Sequence, residues 1–529
     1  MSNNHKVLII GLDGGTWRIL KPMMDNGIMP NLKKLVDSGI SGILKSTIPP
    51  VTAPAWSSFQ TGVNPGKHGI YDFQNHNKET KELQFINSNF LNLPTIWELA
   101  AQKGRKVVSI NVPLTYPVKK AENWMQIGGF LAPQISEEFV YPKELLTRLR
   151  ENDYQIALNG LHKRFIMKLD KFIEENIKIE ETRFDLAKQL AREVPWDLFM
   201  VHNQSIDGIQ HVYYPYLEPG YPEYQKVQSQ TISRFYKKTD VFIGDLIKVC
   251  PTNTIVWIVS DHGFKRVNKK INLNNWLSKK GFLRFNKRRT LTKKAVQFMV
   301  DLDKLNLRQK LFGRVLGNLA GMKIASISTK YFIDWDNTKA YMLNGNTFGN
   351  IFLNCKKEER ERLIDKIKKE LFHLTDANGQ KVVKTVYESN RHFEGGMVSK
   401  LPDLFIEPEE DYVFTMPIMR SKKIFYAPDK SELQGTHHPD GIFAASGPTI
   451  KQGRVATASI MDVTPTVLAI LDIPIPVYMD GKVINTIFHE KPNVRFSDQG
   501  TQDVYVSHKT EQTTDEPIIR SRLKGLGYL

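Results

Sequence analysis

The segment Lys6–Gly15, KVLIIGLDGG, opens with a short apolar run, Val7–Leu12, and stops at an aspartate followed by Gly-Gly. A β-branched run of this length that ends on a polar residue reads as a buried strand. The pattern recurs in Lys106–Ile110 before Asn111, Asp197–Val201 before His202 and Ile255–Ser260 before Asp261. Helical patterns, Phe165–Arg192 and Lys226–Val249, lie between these runs. The alternation predicts an α/β protein with a mostly parallel central sheet covered on both faces. Ligand sites in such sheets lie at the carboxyl ends of the strands, where Asp13 and Asp261 both fall.

Working outward, the chain has 529 residues, 41% hydrophobic and 24% charged, close to the average of globular proteins. That composition favours neither a disordered nor a fibrous chain. Cys250 and Cys355 are its only cysteines and form no Cys-x-x-Cys pattern, which argues against a disulfide framework and a thiolate zinc site. The apolar run near the N-terminus is too short for a signal peptide, and no run reaches the roughly 18 apolar residues of a spanning helix. A cytoplasmic protein is expected. The formal charge of +17, from 73 basic and 56 acidic residues, favours anionic partners, although solvated lysine faces give the same balance.

The strand rhythm breaks after Phe264. A basic stretch, KKGFLRFNKRRTLTKKAVQ from Lys279, is followed by helical patterns around Leu302–Leu319 and Lys356–Leu371. The expected organisation is a discontinuous catalytic core, residues 1–264 and 401–490, with a basic, partly helical insertion or cap over 265–400 and a C-terminal tail over 491–529. The insertion offers a surface to a membrane or a nucleic acid, but a solvated helix with one face on the core is preferred. Asp462 stands where an N-cap would precede the helical run Val463–Leu471, and the terminal RSRLKGLGYL from Arg520 is apolar enough to dock back.

Separated segments supply donors suited to a hard metal. Asp13 lies in GLDGG, where the glycine spacing excludes the dinucleotide-binding and P-loop patterns; GVNPGKHG from Gly62 fails as a P-loop because His68 stands where Ser or Thr would be needed. PPVTAPAWSSFQTG from Pro49 places Thr52 at the expected start of a helix, whose free N–H groups and positive end suit a phosphoryl group. SIDGIQHVYY sets Asp207 and His211 four apart, on one helical face. VSDHGF places Asp261 and His262 just beyond a strand, and GTHHPDG offers His437 and His438. Each segment alone has an ordinary structural explanation, a turn, an N-cap or a solvated face; their joint occurrence after expected strands is what points to a metal centre.

As an ordered set these motifs resemble the alkaline phosphatase superfamily, and within it the type I phosphodiesterase and nucleotide pyrophosphatase group. The resemblance runs from VLIIGLDG through Thr-x-Pro and TGVNPGKHGI, Asp-x-x-x-His, SDHG and the later His to MDVTPTVLAIL and MDG at Asp480–Gly481, and spares the middle insertion. It implies a three-layer sandwich and two divalent metal ions, zinc suiting the donors and manganese being the alternative. Carried over, Asp13, Thr52, Asp261 and His262 would hold the metal that activates Thr52 as nucleophile. Asp207, His211 and His437 would hold the second, His437 being chosen over His438 by its place after the Gly-x step.

The implied activity is cleavage of a phosphodiester or phosphoanhydride, in a nucleotide-like, headgroup or sugar substrate, through a phospho-threonine intermediate. Ala55 departs from the better-known pyrophosphatases, whose motif has an Asn there to hold a phosphoryl oxygen; Lys67 and Asn203 are candidates to replace it. Trp56 stands where a sulfatase would need Arg, which disfavours sulfate esters. A phosphomonoesterase is the nearest alternative. A phosphomutase is disfavoured by Thr in place of Ser, and a phosphoethanolamine transferase by the lack of a membrane anchor. A non-catalytic polyanion or membrane-surface binder is disfavoured by the complete ligand set. Oligomeric state is not legible in the sequence.

Overall fold

The computed structural model of the chain describes residues 5–158, 167–224, 226–286, 332–345, 347–415, 423–429, 432–498 and 516–526. The basic run from Lys279 is described only as far as Asn286, and the helix expected around Leu302–Leu319 lies outside the described residues.

Each run that opened the argument is a strand: Lys6–Leu12, Val107–Ile110, Leu198–Asn203 and Thr254–Val259. They lie in a 9-stranded sheet, in the order Gly453–Ser459, Ile40–Lys45, Asp440–Ser446, Thr254–Val259, Lys6–Leu12, Leu198–Asn203, Val107–Ile110, Trp124–Ile127, Val140–Tyr141. The sheet is mostly parallel. Asp440–Ser446 runs antiparallel to both neighbours, and Val140–Tyr141 antiparallel to Trp124–Ile127.

Side-chain alternation divides the central strands between two cores. Leu8, Ile10 and Leu12 face one with Val256 and Ile258, and Val7 and Ile9 face the other with Ile255 and Trp257. The first core is closed by the helices Pro30–Ser38, Leu169–Glu193 and Val227–Val249, the second by Thr52–Thr61, Ile96–Gln102 and Val463–Ile470. Each large side chain buried in these layers contributes about 1.5–3 kcal/mol of transfer free energy. The result is the three-layer sandwich implied by the resemblance.

A third core lies beside it. Ala340–Tyr341, Gly349–Leu353, Leu404–Pro408 and Val383–Glu388 form a separate antiparallel sheet in that order, with Ile364, Ile367 and Leu371 of the helix Arg360–Phe372 buried in its core. The stretch read as partly helical thus supplies strands as well.

Asp462 is the N-cap residue of the helix Val463–Ile470, but its side chain makes no cap hydrogen bond to it among the described residues. It closes a 3-10 turn, Ile460–Asp462, capped by Ser459, whose N–H donates to Asp462 Oδ2 at 2.8 Å. The apolar end of the chain forms a helix, Glu516–Leu526, in which Leu523 is buried and Arg522 donates to the Phe130 and Pro133 carbonyls. Among the described residues no helix is long and apolar enough to cross a membrane.

Candidate active site

Three adjacent strands end level. Gly11 pairs with His202 on one side and with Val259 on the other, so the residues just beyond these strands emerge together at one edge. Asp13 follows the first; its N–H donates to the Asn203 carbonyl at 3.0 Å. Gly14, at φ 67, then turns the chain so that its N–H donates to Asp261 Oδ1 at 3.1 Å. A side chain at Gly14 would meet the Phe264 ring at 2.6 Å, so the turn needs glycine.

The helix Ser205–Tyr213 leaves the end of the third strand and carries Asp207 and His211, whose Oδ1 and Nε2 lie 3.3 Å apart. The late histidine arrives through a two-stranded ribbon, Gly263–Arg266 against Gly435–His438, in which Phe264 faces His437. His437 Nε2 stands 3.0 Å from His211 Nε2 and 3.4 Å from Asp207 Oδ1. His438 turns away, towards Glu410. Thr52 is the first residue of its helix, with Oγ1 3.2 Å from His262 Nε2 and 3.5 Å from Asp13 Oδ1.

The chemistry of this cluster fits divalent cations. Asp13, Asp207 and Asp261 are fully buried, and among the described residues Asp13 Oδ2, both Asp207 oxygens and Asp261 Oδ2 accept no well-formed hydrogen bond, having only imidazole nitrogens nearby at 3.1–3.4 Å. Carboxylates buried so close together demand positive charge. The histidines are set to accept it. Nδ1 of His211, His262 and His437 lies 3.0, 3.1 and 2.8 Å from the Gly435, Gly263 and Pro50 carbonyls. An Nδ1–H donated to each carbonyl directs the Nε2 lone pair into the cluster. Two donor groups result, Asp13, Asp261 and His262 on one side and Asp207, His262 and His437 on the other.

Electrostatics agree. Burial, reinforced by Asp261 and Asp207, pushes Asp13 well above the usual carboxylate range, and burial pushes Asp261 up to about 7. Burial alone would also raise Asp207, but the His211 and His437 imidazoles hold it far below. Burial keeps His262 and His202 neutral.

Two sequence candidates sit differently. Lys67 Nζ bonds to Asp480 Oδ1 at 2.5 Å and to the Tyr478 carbonyl at 2.7 Å, which neutralises its charge. Asn203 is buried; its Oδ1 accepts from Ser205 N–H at 3.1 Å, and its Nδ2 has no acceptor among the described residues. His202 carries more than its sequence reading gave it: Nε2 lies 3.1 Å from Asp13 Oδ2 and the ring packs edge-on against Trp56. Its one sequence signal was its position at the end of a buried strand. Glu180 had none. It reaches from a different helix to accept from Ser205 N–H at 3.0 Å and Oγ at 2.7 Å, bracing the helix that bears Asp207 and His211.

Fold and site together give a three-layer α/β scaffold with two buried Asp and His clusters that could hold divalent metal ions. The sequence model of the type I phosphodiesterase / nucleotide pyrophosphatase family matches residues 7–440, and the chain belongs to that family. Among solved structures it resembles phosphonoacetate hydrolase from Sinorhizobium meliloti 1021 in complex with phosphonoformate, with TM-score 0.57 and 17% identity over 89% of this chain and 96% of that one. Human ectonucleotide pyrophosphatase / phosphodiesterase 5 aligns with TM-score 0.50 and 14% identity over 94% of this chain and 99% of that one. An inactive form of the murine counterpart, in complex with AMP, aligns at 12% identity with the same TM-score, 0.50, over 94% of this chain and 99% of that one. At these identities the likeness is one of fold. The comparison with curated proteins gave no match.

Proposed function

We propose that the chain hydrolyses a phosphodiester or phosphoanhydride, of a nucleotide, headgroup or sugar, to a phosphomonoester through a covalent phospho-Thr52 intermediate. The observation that carries this is the position of Thr52 Oγ1, 3.2 Å from His262 Nε2 and at the start of a helix. Asp13, Thr52, Asp261 and His262 would hold one divalent ion and Asp207, His211 and His437 the other, zinc being preferred for this mixture of imidazole and carboxylate. Bound there, the ions would supply Lewis-acid stabilisation and would lower the pKa of a hydroxyl beside them.

Thr52 Oγ1 loses its proton and attacks phosphorus in line, the P–O bond to the alcohol or phosphate breaks, and that group leaves on the opposite face. The backbone N–H groups of the first helical turn offer donors to the transferred phosphoryl oxygens. Water then attacks from the vacated side and releases Thr52, so two inversions give net retention at phosphorus. Ala55, a buried methyl, brings no donor, and Asn203 Nδ2 is the polar group we assign to that task. The AMP and phosphonoformate bound by the structural neighbours are consistent with small phosphorus-containing anions as ligands. The reading places the protein in the cytoplasm.

The test is release of p-nitrophenol from bis-p-nitrophenyl phosphate and p-nitrophenyl phosphate by metal-stripped protein refilled with zinc or manganese. The diester is expected to turn over with metal only, and Thr52→Ala to lower kcat by roughly 10⁴ to 10⁶. Acid-quenched protein should carry phosphate on the Thr52 peptide. Preferential turnover of the monoester would replace the diesterase reading with a monoesterase one, and full activity in Thr52→Ala would end the covalent route.

A further inference from the structure

A cavity of about 120 Å³ is lined by His437 together with Lys265, Thr347, His438 and the segment Glu407–Glu410 at the end of a strand of the smaller sheet. His437 is therefore shared: its Nε2 faces Asp207, and the residue also lines the cavity. Lys265 enters from the neighbouring strand, where it pairs with Thr436. The cavity has roughly the room of a few waters, enough for a group of a few heavy atoms.

Two charges around this cavity, Glu409 and Lys265, have no ion-pair partner among the described residues. Glu407 pairs with Lys384 at 2.8 Å and accepts from the Tyr387 hydroxyl at 2.6 Å. Glu410 pairs with Arg18 at 2.5 Å and stands 3.5 Å from His438. The half-buried Glu409 carboxylate forms no ion pair among the described residues. Lys265 is 5% exposed, yet among the described residues its Nζ meets no carboxylate and donates only to the Glu409 carbonyl, at 3.2 Å. The Glu410 and Glu407 carboxylates act on Lys265 from beyond contact, and an ammonium with three donors and a single neutral acceptor keeps donors free for an incoming anion.

We propose that this cavity seats the end of the substrate remote from the reacting phosphorus, and that Lys265 binds an anionic group there, a carboxylate or a second phosphoryl. The inference rests on the reading of the Thr52 centre given above, and it makes the protein selective for small, doubly anionic phosphoesters. A charge-assisted hydrogen bond in a site shielded from water supplies the selectivity.

The test uses three p-nitrophenyl phosphodiesters whose second alcohol is ethanol, glycolic acid or ethylene glycol monophosphate. The metal-loaded protein is expected to favour one anionic ester over the ethyl ester by about tenfold or more in kcat/KM, and the better of the two identifies the group as carboxylate or phosphoryl. Lys265→Met should bring that ratio to about one, and Lys265→Arg should keep part of it. Lys265→Gln, which retains a donor for the Glu409 carbonyl, replaces the methionine variant if thermal unfolding shows the latter to be impaired.

Calorimetry gives an independent readout. Propylphosphonate, 3-phosphonopropionate and propane-1,3-diphosphonate are titrated into metal-loaded protein, and an anionic-tailed compound should bind about tenfold tighter, in wild type only. Equal binding of all three by wild type, or a preference that survives Lys265→Met, overturns the proposal. Failure of wild type to cleave any diester overturns the hydrolytic reading instead, and the phosphonates still decide the role of Lys265.

Discussion

The imidazoles of His262 and His437 stack face to face, their ring centroids 3.6 Å apart and their planes within 15° of parallel. His262 is also the residue common to both donor groups, so the two ion positions share a wall. Truncating it should damage both. His262→Ala is expected to retain well below about one metal ion per chain by elemental analysis, whereas His211→Ala, which alters only the Asp207 and His437 side, retains about one. Equal metal content in the two variants would contradict a shared wall.

His202 should matter without touching substrate. Its Nε2 stands 3.1 Å from Asp13 Oδ2, and Asn111 Nδ2 approaches its Nδ1 at 3.5 Å, an arrangement that favours the tautomer directed at Asp13. Partners behind a metal ligand typically account for about 10–100-fold in affinity. His202→Ala is expected to lose that much in competition with a chelating dye; an unchanged dissociation constant would reduce His202 to packing.

The fully buried Glu180–Arg183 pair anchors the helix of Asp207 and His211. Arg183 Nη1 bonds to Glu180 Oε2 at 2.6 Å, and Nη2 bonds to the Ile156 carbonyl at 2.9 Å. Arg183→Met leaves the glutamate buried and unmatched, a loss of about 3–5 kcal/mol in chemical denaturation. Adding Glu180→Met should recover most of it. A small loss in the single variant would show that water reaches Glu180.

His68 supplies a pH dependence. Its Nε2 is 2.9 Å from Ser58 Oγ, its Nδ1 accepts from Ile70 N–H, and burial pushes its pKa from 6.5 down to about 3. Between these values the unfolded chain holds the extra proton, so the contribution is fully present above 6.5 and is lost as pH falls towards 3. Its slope is at most about 1.4 kcal/mol per pH unit. The stability curve of His68→Gln should be flatter by that slope between pH 6.5 and 5, and a parallel curve would contradict a neutral buried imidazole.

The strands that set the edge of the site were legible because burial on both faces leaves a continuous apolar run with a polar stop, as in Val7–Leu12 before Asp13. The ordered motifs then identified the side chains that the structure brings together around Thr52. What stayed illegible depends on partners distant in sequence. Lys67 reads as a free cation until Asp480 closes on it, and Lys265 reads as part of a basic surface until Glu407–Glu410 folds over it. The place of Asp462 at the start of its helix was legible because the helix is apolar, while the 3-10 turn that engages its carboxylate follows no apolar period.

The antiparallel strand Asp440–Ser446 lies between Thr254–Val259 and Ile40–Lys45 and is hydrogen-bonded to both. A chain growing from its N-terminus makes both of those neighbours early and must hold the place between them open for nearly two hundred further residues. His437 lies on the same late segment. Closure of the sheet and completion of the Asp207, His262 and His437 cluster thus await the same segment, so a nascent chain cut short before this strand emerges carries neither a finished scaffold nor the full set of proposed metal ligands.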